Sequence, residues 1–197
     1  MSSNAAALRL FFALQPQAGQ SAALVEHVAP LMTRLEAQPV PAENLHATLC
    51  FIGAIAPEDL EKLKGVAAGQ HASRASLHFD TLEYWEKPRV VCATTAGRAL
   101  PAALINLVDG LGRDAQAAGF RPDIKPFRPH LTLARKISPA RAAQCEWPAN
   151  LAPPVLVHCD RFVLMESRRG ESGATYSVVG SWPLYADDTD WSSANIQ

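Results

Sequence analysis

The chain opens on an alternating run. Leu8, Leu10, Phe12 and Leu14 fall on one side of an extended segment and Arg9, Phe11 and Ala13 on the other, the two-residue period of a β-strand. Residues 16–20 interrupt it, and Leu24, Val28, Leu31 and Leu35 then recur at the spacing of a helix, which Pro39 and Pro41 close. A second apolar strand runs through Leu45, Ala47 and Leu49 to Gly53, and residues 58–69 read as a short helix with Leu60, Leu63 and Val66 inward. Strands are predicted at Leu77 and Phe79 and over 89–94, with a turn at Glu86-Lys87-Pro88, followed by a helix through Leu100, Leu104, Leu107, Val108 and Leu111 that ends before Gly119. Two further strands are expected over 155–165 and 175–180, joined by a polar loop at 166–173.

Two strands carry the same polar interruption: His46-Ala47-Thr48-Leu49 and His130-Leu131-Thr132-Leu133. In extended backbone, residues i and i+2 share a face about 6.6 Å apart, so His46 pairs with Thr48 and His130 with Thr132. Leu45, Ala47 and Leu49, and likewise Leu131 and Leu133, turn to the core. The second copy is approached by the basic, proline-rich segment 121–129, which is predicted to be fixed but not helical. Both copies occupy equivalent points of two pieces that each hold a helix and a strand pair, which suggests an internal duplication. The pattern favours antiparallel sheets backed by helices, an α+β fold. No glycine fingerprint follows the first strand, which disfavours a parallel dinucleotide-binding architecture.

With 197 residues, 48% of them hydrophobic, the chain fits one domain or two small lobes on a shared core. The expected organisation is a single bilobal catalytic domain over 1–185 with interleaved lobes, then a polar, acidic tail at 186–197. A net charge of -1, from 18 basic and 19 acidic side chains, argues against bulk capture of long nucleic acid but leaves room for a small nucleotide or an RNA end. Cys50, Cys92, Cys145 and Cys159 form no Cys-Xaa-Xaa-Cys pair and read as reduced thiols. No apolar run reaches the roughly 20 residues of a membrane span, and no leader pattern opens the chain, so a cytoplasmic location is expected.

Two imidazoles facing one cleft suit acid/base work on a phosphoryl group, one as neutral base and the other as acid, while threonine hydroxyls donate to non-bridging oxygens. Such a site needs no metal, and no compact His, Cys or carboxylate pattern offers one. His27, His71, His78 and His158 lack a partner at the motif spacing.

The segments Asn44-Leu45-His46-Ala47-Thr48-Leu49-Cys50-Phe51-Ile52-Gly53 and Phe127-Arg128-Pro129-His130-Leu131-Thr132-Leu133-Ala134-Arg135 resemble the paired signatures of the two-histidine phosphoesterase superfamily. Within it the chain looks like the bacterial and archaeal RNA 2′,3′-cyclic phosphodiesterases, historically called 2′-5′ RNA ligases. The opening strand from Leu8 to Leu14 and the late segment from Tyr176 to Leu184 are similar to that family as well.

The resemblance implies two lobes, each giving an antiparallel sheet and one motif to a central cleft, with helices outside. It also implies metal-free hydrolysis of a 2′,3′-cyclic phosphate on RNA or a nucleoside to a 2′-phosphate, with His46 as general acid, His130 as general base, and Thr48 and Thr132 holding the phosphoryl oxygens. No cofactor, DNA or membrane partner is expected, and one chain suffices as a monomer. Arg135 is a candidate phosphate contact, although strand parity turns it away from His130 unless a bulge intervenes; Arg128, on the His130 side, is a second candidate. Phe11, Phe127 and Tyr176 are candidates for stacking a base, and Arg9 for the cleft floor. Cys92 stands where relatives often have tryptophan. Formation of 2′-5′ linkages without ATP, or binding of an RNA end without turnover, are the alternative readings.

Overall fold

The computed structural model describes residues 6–170 and 173–186. The opening alternation forms β1 (Leu8–Leu14), with Leu10, Phe12 and Leu14 in the large core and Phe11 and Ala13 on the opposite face. Helix α1 (Ala18–Arg34) buries Leu24, Val28 and Met32. β2 (Ala47–Ile55) follows, beginning one residue after His46. Next come α2 (Leu60–Ala68), β3 (Ala75–Trp85), β4 (Val90–Thr94), α3 (Ala102–Ala117), β5 (His130–Ala134), the single turn α4 (Pro139–Ala142), β6 (Ala149–Cys159), β7 (Arg161–Gly170) and β8 (Gly173–Pro183).

The strands make two antiparallel four-stranded sheets, ordered β2-β1-β7-β8 and β5-β4-β3-β6. Each motif strand lies at a sheet edge beside the strand that precedes it in the chain, so β1-α1-β2 and β4-α3-β5 repeat one plan. One hydrophobic cluster joins the sheets through residues such as Phe12, Phe162, Phe79, Leu131 and Leu133. Leu45, Ala47, Leu49, Leu131 and Leu133 are all buried, as the motif alternation requires.

The last third departs from the sequence reading. The strand expected over 155–165 is two strands in different sheets, with the chain changing sheets at Asp160, whose carbonyl accepts from the Leu184 amide at 2.7 Å. No glycine or proline marks this corner. The change shows only in the pattern: Val157 and Cys159 alternate with exposed neighbours, whereas Phe162 to Met165 are buried without interruption. β7 is an interior strand, with Phe162 and Leu164 in the large core and Val163 and Met165 in a small cluster on the other face. β6 starts earlier than expected and runs through Pro153 and Pro154, which an edge strand tolerates. The polar loop expected at 166–173 is mostly strand, because Glu166 to Gly170 continue β7 and pair with β8. Glu166 is buried there and accepts from Arg168 Nε at 2.8 Å. The tail lies, from residue 187 on, outside the described residues.

The two sheet edges formed by the motif strands are covered reciprocally. The segment leading from α1 toward β2 pairs with β5, where Pro39 bridges Ala134 and the Val40 amide donates to Leu133 at 2.6 Å. The segment leading from α3 toward β5 pairs with β2, where the Asp123 amide donates to Phe51 at 2.8 Å. Each lobe thus caps the edge that the other exposes, satisfying backbone groups that an edge strand leaves free.

Phe12 has no exposed surface and packs against Phe162 and Trp182. Phe12→Ala is expected to lower stability by about 3–5 kcal/mol, the usual cost of emptying a buried aromatic site, read from the midpoint and slope of urea unfolding.

Candidate active site

β2 and β5 place the two histidines at the head of their strands. His46 Nδ1 lies 2.7 Å from the Asn44 carbonyl and His130 Nδ1 lies 2.9 Å from the Arg128 carbonyl, the same two-residue reach in each lobe. A carbonyl only accepts, so both rings carry their proton on Nδ1 and leave Nε2 as the free nitrogen. Both rings are lowered in proton affinity: burial, opposed by the Asn44 bond and reinforced by Arg135 and His130, holds His46 at about 4. Burial also lowers His130, with Arg128 and Arg135 adding to it and the Arg128 carbonyl and the Glu83 carboxylate opposing. Each ring therefore starts neutral near pH 7 with Nε2 bare, and Arg135 acts on both from one place.

Arg135 faces the site because of a bulge. Thr132 pairs with Cys92 and Ala134 with Val91, so Leu133 is an extra residue and both Leu133 and Ala134 are buried. That extra residue restores Arg135 to the side of His130 and Thr132. Its guanidinium reaches toward the Tyr176 hydroxyl on β8, at 3.4 Å, and so spans from one lobe to the other. β2 carries the matching irregularity: Thr48 pairs with Ala13 and Cys50 with Phe12, leaving Leu49 extra. Phe51 and Arg135 are thereby equivalent, each five residues after its histidine. Aligning the two motifs could have shown that pairing, but Phe51 was not singled out from the sequence.

Around His46 the walls are aromatic. Phe11 lies 4.9 Å from its ring and Tyr176 4.9 Å, edge-on, while Phe51 stacks on Phe11 at 6.5 Å. Phe11 is buried and supports the imidazole; Phe51 is half-buried, with Arg9 above its ring at 4.7 Å. Phe127 packs against the large core and does not join this cluster.

Around His130 the walls are polar. Trp85 lies 4.6 Å from its ring, and Glu83, two residues earlier on the same face of β3, accepts from Trp85 Nε1 at 2.8 Å and Thr94 Oγ1 at 3.0 Å. Arg128, a candidate substrate contact on the side of His130, is held on Glu83 at 2.6 and 2.5 Å and lies over Trp85. Its backbone carbonyl holds the ring and its side chain braces Glu83. Glu83 and Trp85 were missed from the sequence; their signal was an acid and an aromatic alternating with Leu82 and Tyr84. Cys92 lies beneath Thr132, Sγ to Oγ1 3.8 Å, with burial pushing its thiol up to about 11.

A model of LigT-like phosphoesterases matches residues 13–92 and 98–176. The chain belongs to the LigT-like phosphoesterase family. An RNA 2′,3′-cyclic phosphodiesterase of Escherichia coli strain K12 is 33% identical over 179 residues, 89% of this chain and 96% of the relative. One from Thermus thermophilus is 28% identical over 194 residues, 90% of each chain. Among solved structures, Escherichia coli LigT in apo form superposes with a TM-score of 0.76 at 28% identity, covering 92% of this chain and 99% of that one. LigT complexed with 3′-AMP gives the same TM-score and identity over 90% and 98%. The family thus shares the two-sheet α+β fold seen here. No described helix is long and apolar enough to cross a membrane.

The ring electrostatics give a direct expectation. Glu83→Gln removes the carboxylate that raises His130, so the His130 titration moves to lower pH while His46 stays near 4, followed by 15N ring shifts. The same spectra of the parent at pH 7.5 show both rings protonated on Nδ1.

Proposed function

We propose that this LigT-like phosphoesterase hydrolyses a 2′,3′-cyclic phosphate at an RNA 3′ end, or on a nucleoside, to a 2′-phosphate, with His46 and His130 as the proton-transfer pair and no metal. The observation that carries this reading is the matched pair of imidazoles, each pinned at Nδ1 and free at Nε2. Hydrolysis needs a proton taken from water as its oxygen bonds to phosphorus, and a proton given to O3′ as the P–O3′ bond breaks. His130 takes the first and His46 gives the second, the roles that the motif resemblance implies. Thr48 and Thr132 donate to the non-bridging oxygens, and Arg135 offsets the charge that builds on them.

The free site is not yet poised for this assignment, since burial holds His46 at about 4. His46 therefore gains its proton when the anionic phosphate binds beside it, because a nearby negative charge raises an imidazole. Either order of roles requires one proton on the pair. DNA lacks the 2′-hydroxyl from which the cyclic ester is made and is not a substrate. Both motifs lie in one chain, so a monomer suffices, with residues 1–185 as the catalytic unit. The free cysteines suit a reducing cytoplasm.

A short RNA ending in a 2′,3′-cyclic phosphate, incubated with EDTA, is expected to give a 2′-phosphate at an undiminished rate. His46→Ala and His130→Ala each lower kcat by about 10²–10⁴-fold with the fold retained by circular dichroism. Near-parental turnover in either variant excludes the pair, a 3′-phosphate product reverses the regiochemistry, and joining to an RNA with a free 5′-hydroxyl identifies ligation. The pH dependence of kcat/KM follows from the free rings. Above the lowered His130 value both are neutral and below about 4 both are charged, so kcat/KM peaks on the acid side of pH 6.5 and falls toward pH 8.

A further inference from the structure

A cavity of about 650 Å³ opens beside the two histidines without either of them lining it. It shares Arg135 and Tyr176 with the site, and Asn44, whose carbonyl fixes His46, lies on its wall. The reciprocal edge pairing builds it, since one side is the Pro39–Pro41 segment that crosses to β5 and the other is the chain leaving β5 toward α4.

Two more cations line it, Lys136 and Arg141, against one carboxylate, Glu36, which Arg141 engages directly. With Arg135 that leaves a local positive excess in a chain whose net charge is -1. Lys136 has φ 58, a left-handed conformation unusual for a lysine, and the bend it makes carries the chain from Arg135 to the far side of the cavity. Pro39, Pro41 and the Tyr176 ring add flat apolar surface between these charges. The volume falls in the range of small-molecule sites and is ample for a nucleotide.

A cyclic phosphate closes the 3′ end of an RNA, so the rest of the chain must leave the cleft from the 5′ oxygen of the terminal ribose. Resting on the phosphodiesterase reading above, we propose that this cavity is a subsite for the RNA body: it receives the nucleotide 5′ of the reacting one, with Lys136 and Arg141 meeting the internucleotide phosphate. Arg135 and Tyr176, at the boundary, connect the subsite to the reacting end. The protein therefore favours a cyclic phosphate carried on an oligonucleotide over the same group on a mononucleotide.

The test compares a nucleoside 2′,3′-cyclic phosphate with a pentanucleotide ending in the same group, for the parent, Lys136→Asn and Arg141→Gln. Asparagine accepts the left-handed backbone, so the first variant removes charge without forcing the bend. The parent is expected to show a lower KM for the pentanucleotide. Each variant raises that KM about fivefold, the worth of one exposed charge contact, and flattens its salt dependence by about 0.7 in logarithmic slope per charge. kcat and KM for the mononucleotide stay at parental values.

Equal losses on both substrates would place the terminal nucleotide in the cavity and overturn the proposal, as would no loss on either. Turnover of the mononucleotide tests the phosphodiesterase reading by itself. Should that fail, equilibrium binding of a pentanucleotide ending in a 2′-phosphate decides the subsite: weaker binding by the variants supports it, and unchanged binding overturns it.

Discussion

The relative placement of the two lobes depends on a reciprocal exchange of backbone hydrogen bonds. Val40 on the approach to β2 bonds to β5, and Asp123 on the approach to β5 bonds to β2. Neither contact belongs to a regular ladder, yet together they fix how the two motif strands face each other. The shared core supplies cohesion without direction, since burial of Phe12, Phe79 and Leu133 is indifferent to small sliding. Directional amide-to-carbonyl bonds at both edges remove that freedom, and the cleft inherits its geometry from them.

The symmetry of the backbone contrasts with the asymmetry of its lining. Strand, helix, motif strand, bulge and Nδ1 contact all repeat. The side chains around them do not: His46 is set among Phe11, Phe51 and Tyr176, while His130 is set among Trp85, Glu83 and Arg128. Burial depresses both imidazoles and a backbone carbonyl opposes it at each, but only His130 has a carboxylate, Glu83, that also supports its proton. Two matching frames thus place their imidazoles in different surroundings.

What could be read directly from the residues was whatever depends on two-residue or four-residue periodicity. The alternation through Leu45, Ala47 and Leu49 placed His46 and Thr48 correctly, and the stripe from Leu104 to Leu111 marked α3. Features that break periodicity were hidden. The bulge at Leu133 has no residue signature, so parity alone turns Arg135 away, whereas the pairing of Thr132 with Cys92 and Ala134 with Val91 turns it back. The corner at Asp160 was hidden for the same reason: apolar residues continue through it while the sheet they belong to changes. Arg128 was placed on the proper side, but its partner Glu83 lies forty-five positions earlier, and pairing at that range leaves no local trace.

The order of strands in the first sheet bears on how the protein is made. β1 and β2 are synthesised early, but β7 and β8, which complete their sheet, come after the whole second sheet. A chain emerging from the ribosome holds both histidines well before it holds Tyr176, whose ring lies edge-on to His46, and Met165, which packs in the cluster of Phe11. The second lobe can close on its own strands first, while the first lobe waits with an unpaired β1 edge for the final hairpin. A chain ended before β8 therefore carries both motifs but lacks Tyr176, the ring that lies edge-on to His46 and meets Arg135.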